Sequence, residues 1–258
     1  MPPLEPETCY AEIAASTAAL VGLISQADLA LPVPACPDWT LRNLATHVGR
    51  AHRWAAEITA TRSAEFIPFR AVPDGRFPDD RAAQPDWLNA GAQRVISAVR
   101  EAGSDPVWAF GSLAPASFWG RRMAHETAVH RADAELATGH EPMFAPNLAA
   151  DAIDEWLGLM SGPVSGRPDP RLEALPDGRA LHVHATDSEL TGTGEWLVRH
   201  EHSAVQVDRG HARADVAIRG PAGRLLLVLT RRVPPDDPAV QVSGDPALLS
   251  RWLEYTPF

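Results

Sequence analysis

Glu126 and His130 stand four residues apart in the run Arg122-Met123-Ala124-His125-Glu126-Thr127-Ala128-Val129-His130, a spacing that puts a carboxylate and an imidazole on one face of a helix. A second run, Thr40-Leu41-Arg42-Asn43-Leu44-Ala45-Thr46-His47-Val48, carries a histidine in the middle of an apolar stripe. A polar ring at a position patterned for the core needs a partner. A divalent metal shared by His47, Glu126 and His130 would supply one. Three protein ligands of this type leave coordination positions open, the arrangement of a catalytic rather than a structural metal. From spacing alone a plainer account stays open, in which His47 is a satisfied core histidine and Glu126 pairs with Arg122 or His130 on the surface.

The neighbours of these residues narrow the chemistry. His125 and His130 are one residue too far apart for the His-Glu-x-x-His protease motif, and at a spacing of five they diverge by about 140° around the helix. His52 stands in the same relation to His47. Asp133 follows His130 by three residues and could orient its ring or bind a substrate cation; on periodicity alone it reads as a solvated helix charge. Arg50, three residues from His47 on the same side, could face the site or make a surface ion pair. Arg231 and Arg232 end an apolar helix, where cations suit the dipole, and arginine can also clamp a carboxylate. The eight tryptophans, among them Trp39, Trp54, Trp119 and Trp196, read as core, and Cys36 as structural. With no phosphate-binding glycine loop or nucleophile elbow in the chain, its chemistry must come from the metal or from a thiol brought in by a cofactor.

Those residues need helices to position them. Helical periodicity runs through the first 160 residues, predicting helices over about 7–26, 40–61, 85–102 and 117–138, with a further one over 146–160. Asp38 or Thr40 is the expected cap of the second, and Gly139 the stop of the fourth. The prolines of the stretch from Ser63 to Pro85 make it a long loop that could cover a site. Beyond Ser161 alternation takes over, with strands expected at Leu181–Thr186, Glu195–Arg199, Ala214–Ile218 and Val240–Val242, and helices over 221–229 and 246–254. The fold class is therefore α+β: an N-terminal four-helix bundle over 1–160, a linker over 161–178 and a small α+β domain over 179–258.

Composition excludes several functions. The formal charge of −10 argues against a nucleic-acid partner, which needs basic surface. No apolar run is expected to reach the roughly 18 residues of a membrane span, and residues 1–5 lack the pattern of a signal peptide. Two cysteines are too few for a disulfide framework, so a reduced cytoplasmic protein is expected. All 23 basic residues are arginine, a bias of GC-rich coding sequences of the actinobacterial kind.

Three stretches resemble the mycothiol-dependent maleylpyruvate isomerase family. Cys36-Pro37-Asp38-Trp39-Thr40-Leu41-Arg42-Asn43-Leu44-Ala45-Thr46-His47-Val48 resembles the start of that family's second helix. His125-Glu126-Thr127-Ala128-Val129-His130-Arg131-Ala132-Asp133 looks like its fourth-helix metal motif, and the segment from Ala214 to Pro234 is similar to its C-terminal domain. The resemblance implies a DinB-like bundle holding a divalent metal, usually zinc, and a C-terminal domain related to sterol-carrier folds that closes over the site. It carries the metal onto His47, Glu126 and His130, the family's following aspartate onto Asp133, and its catalytic arginine onto Arg232. Asp133 thereby becomes a catalytic and cofactor-binding candidate, with Arg50 beside it on the cofactor side. The family usually has a glycine before that arginine, where this chain has Arg231.

The activity so implied is that of a metal-activated thiol enzyme. Mycothiol, a low-molecular-weight thiol, would add to a small electrophile; expulsion after bond rotation makes an isomerase, and retention makes an S-transferase. The rivals are a metal-binding or regulatory protein on the same scaffold, and a hydrolase or lyase that activates water.

Overall fold

Proline at the start, a polar cap and glycine at the end punctuate the helices of this chain, and a computed structural model shows where that punctuation falls. It describes residues 3–161, 173–201 and 204–256; the expected linker from Gly162 to Pro170 lies outside the described residues. Contacts divide the chain into two units, Leu4–Pro142 and a second that begins at Met143.

The first unit is built on α1 (Pro6–Gln26), α2 (Leu41–Ala60), α3 (Gln84–Ala102) and α4 (Ser117–Ala137). Thr40, not Asp38, caps α2: its hydroxyl accepts from the Asn43 N–H while the Asn43 side chain accepts from the Thr40 N–H, which satisfies two otherwise orphaned donors. α2 packs against α3 and α4, and α1 against α4 and α3, so α2 and α4 are neighbours. By length and composition α1 would suffice to cross a membrane, contrary to the expectation from the sequence. In the bundle its Ile13, Leu20 and Ile24 are core residues, each at most 1% exposed.

The α2–α3 seam depends on two glycines. A Cβ on Gly49 would lie 1.9 Å from the Trp87 ring, and one on Gly91 would lie 2.6 Å from Arg53 Nη1. The Arg53 guanidinium in turn sits 3.9 Å from the Trp87 ring centroid and donates to the carbonyls of Gly49 and Trp87. Each helix thus gives up a side chain so that its partner's large one can lie flat.

Between α3 and α4 runs a hairpin that the sequence did not announce, β1 (Pro106–Ala109) and β2 (Ser112–Pro115). Its two-residue turn is Phe110-Gly111, with φ of 47° and 94°. Two successive positive φ values match the right-handed twist of a hairpin but are signalled in sequence by Asn-Gly or Asp-Gly. A phenylalanine there conceals the turn.

The second unit contains α5 (Pro146–Met160), β3 (Ala180–Ala185), β4 (Glu195–Glu201), β5 (Ala204–Arg209), β6 (Val216–Gly220), α6 (Ala222–Leu229), β7 (Gln241–Gly244) and α7 (Pro246–Tyr255). The sheet order is β5-β4-β3-β6-β7, parallel between β3 and β6 and antiparallel elsewhere. Leu181, Val183, Val198, Val216 and Ile218 form one fully buried face. The domain boundary expected at residue 160 moves back to 142/143, because α5 packs on α6 and β5. Its Asp154, 8% exposed, accepts from Trp196 Nε1 at 3.1 Å and from Arg209 at 2.7 and 2.8 Å. Periodicity shows that α5 is a helix, but not whose core it faces. β5 was also missed.

At the end of α6 the Arg231 N–H bonds to the Val228 carbonyl and the Arg232 N–H to the Leu227 carbonyl, a Schellman closure that requires a left-handed residue. That residue is Arg231, at φ 62°. The chain therefore keeps the backbone that a glycine would favour, at a cost of about 1–2 kcal/mol. Arg231→Gly is expected to raise stability by about 1 kcal/mol, and Gly49→Ala to lower it by about 1–3 kcal/mol through overpacking. Urea unfolding midpoints of the two variants measure both.

Candidate metal centre

Because α2 and α4 are neighbours, the histidine in the stripe of α2 meets the carboxylate–imidazole pair of α4. His47 Nε2 lies 2.8 Å from Glu126 Oε1, and His130 Nε2 lies 3.3 Å from the same oxygen. The two rings stand 4.8 Å apart at 76°, and the three donor atoms all fall within 4.8 Å of one another. Donors around a tetrahedral ion with bonds near 2.0 Å sit about 3.3 Å apart, so this donor set fits a divalent cation by chemistry and by spacing. The other Glu126 oxygen, Oε2, accepts from Arg122, which keeps Oε1 turned to the histidines.

Asp133 does not behave as a solvated charge. It is 0% exposed, and its Oδ2 lies 2.7 Å from His130 Nδ1. A carboxylate on Nδ1 leaves Nε2 aimed at the cluster, the usual support of a metal-bound histidine. Cys36, read as structural, places Sγ 3.7 Å from the same Asp133 oxygen. Trp39, read as core, lies against both rings, 5.0 Å from His47 and 6.2 Å from His130. These two lie on the connection into α2, beyond the reach of helical spacing.

Charge balance follows from burial. Burial by itself would raise the Glu126 carboxyl, but Arg122 and the two histidines hold it well below the ordinary range. Burial would lower His130, yet hydrogen bonds to Asp133 and Glu126 outweigh it and push the ring up to about 9. His52 shows the opposite balance: burial, with Arg53 nearby, lowers it to about 3. It is a neutral core histidine paired with Thr127 Oγ1 at 2.8 Å. His125 is buried too and stands outside the donor set.

The cluster opens on a cleft of about 560 Å³ within the bundle unit. Its walls are aromatic: Trp39 and Trp54 from the α2 region, Phe69 from the long loop, Phe110 from the hairpin turn and Trp119 from α4. Phe69 and Phe110 are 54% and 53% exposed, so they line the mouth rather than the core. Arg50 also borders the cleft; its Nε donates to the Gly75 carbonyl at 2.6 Å, so the long loop does reach the site. His47 is the most open donor, with 37% of its side chain exposed. Arg232 belongs to the C-terminal unit, where its Nη1 donates to the Thr230 carbonyl at 2.7 Å.

A family model described as the mycothiol maleylpyruvate isomerase N-terminal domain matches residues 10–135, and one described as the MDMPI C-terminal domain matches residues 147–251. The chain belongs to the mycothiol-dependent maleylpyruvate isomerase family. No curated protein matches it. Among solved structures it is similar to a mycothiol-dependent maleylpyruvate isomerase, with a TM-score of 0.61 at 16% identity over 95% of this chain and 97% of that one. A mutant of that isomerase gives the same values. At this identity the likeness establishes the fold.

His130 gives a pH prediction for protein stripped of metal. Its pKa is raised from 6.5 to about 9 on folding, so its contribution is fully present below about pH 6.5 and is lost as the pH rises through about 9. The urea midpoint is expected to fall over that window, and Asp133→Asn to flatten the fall. In a chelator competition the same variant is expected to bind zinc about 10–100-fold more weakly.

Proposed function

We propose that this protein is a mycothiol-dependent, divalent-metal-activated thiol enzyme acting on a small electrophile, as a maleylpyruvate isomerase-like cis–trans isomerase or a thiol S-transferase. The observation that carries the reading is the convergence of His47, Glu126 and His130, the first two of which line an aromatic cleft. When bound there, a divalent cation, zinc foremost, lowers the pKa of a thiol so that it reacts as thiolate near neutral pH.

The residues of the chain have separable tasks. Asp133 holds the Nδ1 proton of His130 and so fixes the ring. Arg122 compensates the buried Glu126, which would otherwise favour its neutral acid. Trp54, Phe69 and Phe110 keep the cleft apolar, which limits competing water and suits a flat, conjugated electrophile. The terminal nitrogens of Arg50 have no hydrogen-bond partner among the described residues and are placed for an anionic group of thiol or substrate. A catalytic role for Arg232 rests on the resemblance alone, and Arg232→Ala is the variant that tests it.

The reaction class needs little more. A thiolate adds to one carbon of a polarised double bond, the new single bond rotates, and loss of the thiol restores the double bond in its trans form. Retention of the thioether gives transfer instead. A cytoplasmic setting, where Cys9 and Cys36 stay out of disulfides and the low-molecular-weight thiol is reduced, suits both outcomes.

The test is turnover of maleylpyruvate and of a bimane electrophile by zinc-loaded protein with mycothiol. Activity is expected to require both thiol and metal, and to fall about a hundredfold or more in His47→Ala and Glu126→Gln. Turnover without thiol, giving a hydrated product, would assign the site to water activation. Zinc binding with no turnover of either electrophile would sink the enzyme reading.

A further inference from the structure

A second group of metal-type donors lies on the C-terminal sheet. Successive side chains of a strand alternate faces, so His182 and His184 of β3 share the face opposite the buried Leu181–Val183 side. The register pairs His184 with Glu195 of β4, which puts the carboxylate on that face. Gly210, at φ 126°, bonds its N–H to the Glu195 carbonyl at 3.0 Å and turns the chain so that His211 returns over the same residue.

The donors converge on one atom. Glu195 Oε2 lies 3.0 Å from His182 Nε2, 2.7 Å from His211 Nδ1 and 3.8 Å from His184 Nδ1. The donor atoms of His182, Glu195 and His211 all lie within 4.8 Å of one another. The His182 and His211 rings meet edge-on, 5.2 Å apart at 88°, so they aim nitrogens inward rather than stack as apolar neighbours. We propose that His182, Glu195 and His211, with His184 as a fourth donor, form a divalent transition-metal site on the C-terminal unit.

His182 supplies the independent reason. Its side chain is 5% exposed, and its buried Nε2 points into the group, 3.0 Å from Glu195 Oε2 but without hydrogen-bond geometry to any partner among the described residues. One carboxylate oxygen has lone pairs for about two donors, and three ring nitrogens crowd this one. A cation among them would engage every lone pair at once. Imidazole with a single carboxylate selects zinc, nickel, cobalt or copper over magnesium or calcium, which prefer oxygen. His211, with 75% of its side chain exposed, leaves the ion an open route from solvent. A bound ion would tie the segment after β5 to the centre of the sheet.

The test is equilibrium dialysis of untagged full-length protein against zinc, followed by metal analysis, with circular dichroism to check folding. The sheet site predicts one ion that survives His47→Ala/Glu126→Gln and is lost in His184→Ala/His211→Ala, whose positions are partly exposed. If the bundle site also holds zinc, the wild type carries two ions, so failure of either site shows separately. Glu195→Gln, nearly isosteric, is expected to weaken the sheet site at least tenfold. In the His47→Ala/Glu126→Gln background, zinc should raise the melting temperature, and adding His211→Ala should abolish the rise. No ion left in His47→Ala/Glu126→Gln, or an unchanged count in His184→Ala/His211→Ala, overturns the site.

Discussion

The first unit is organised around one largely buried carboxylate. Glu126 lies on α4 with 17% of its side chain exposed, and an ion of that kind costs several kcal/mol to take out of water, by order of magnitude, unless it is paired. Arg122 answers one oxygen, while His47 and His130 answer the other. Only one of these partners, His47, comes from another helix. The pairing therefore requires α2 and α4 to be adjacent, and the packing of α2 on α3 through Gly49, Gly91, Arg53 and Trp87 holds α2 where it can meet that demand. A carboxylate with a cation behind it and two imidazoles before it is also a ready receptor for a dication. The constraint that sets the packing is the one the proposed chemistry would use.

Elements outside the regular helices decide the surroundings of this centre. The cleft takes Phe69 from a one-turn helix in the long loop and Phe110 from a hairpin turn. Phe110 holds a left-handed backbone, which disfavours a bulky residue. Strain of that kind, at the mouth of a cleft, is consistent with a residue kept for its side chain. Asp133 sits behind His130 with Cys36 close to the same carboxylate. The ring is thus fixed from behind while its Nε2 faces Glu126.

The C-terminal unit obeys a different rule. Its sheet buries one face in apolar residues, while the opposite face gathers His182, His184 and Glu195 by strand alternation and register. α5 belongs here because Asp154 finds Trp196 and Arg209. Arg231 stands in a left-handed cap, a backbone that glycine adopts more easily.

What could be read from the chain alone was whatever depends on residues close in sequence. The four long helices, the facing of Glu126 with His130, the wrong face of His125 and the strands β3, β4 and β6 all follow from periodicities of 3.6 and 2. The family was legible in three runs of residues. Whether His47 met the pair on α4 was not, because two helices share a site only if they pack together. Nor could spacing show that Asp133 is buried, that Cys36 and Trp39 lie beside the cluster, or that Phe110 turns a hairpin. Burial and encounters between distant segments are properties of the packed chain, and local pattern carries no information about which apolar face finds which.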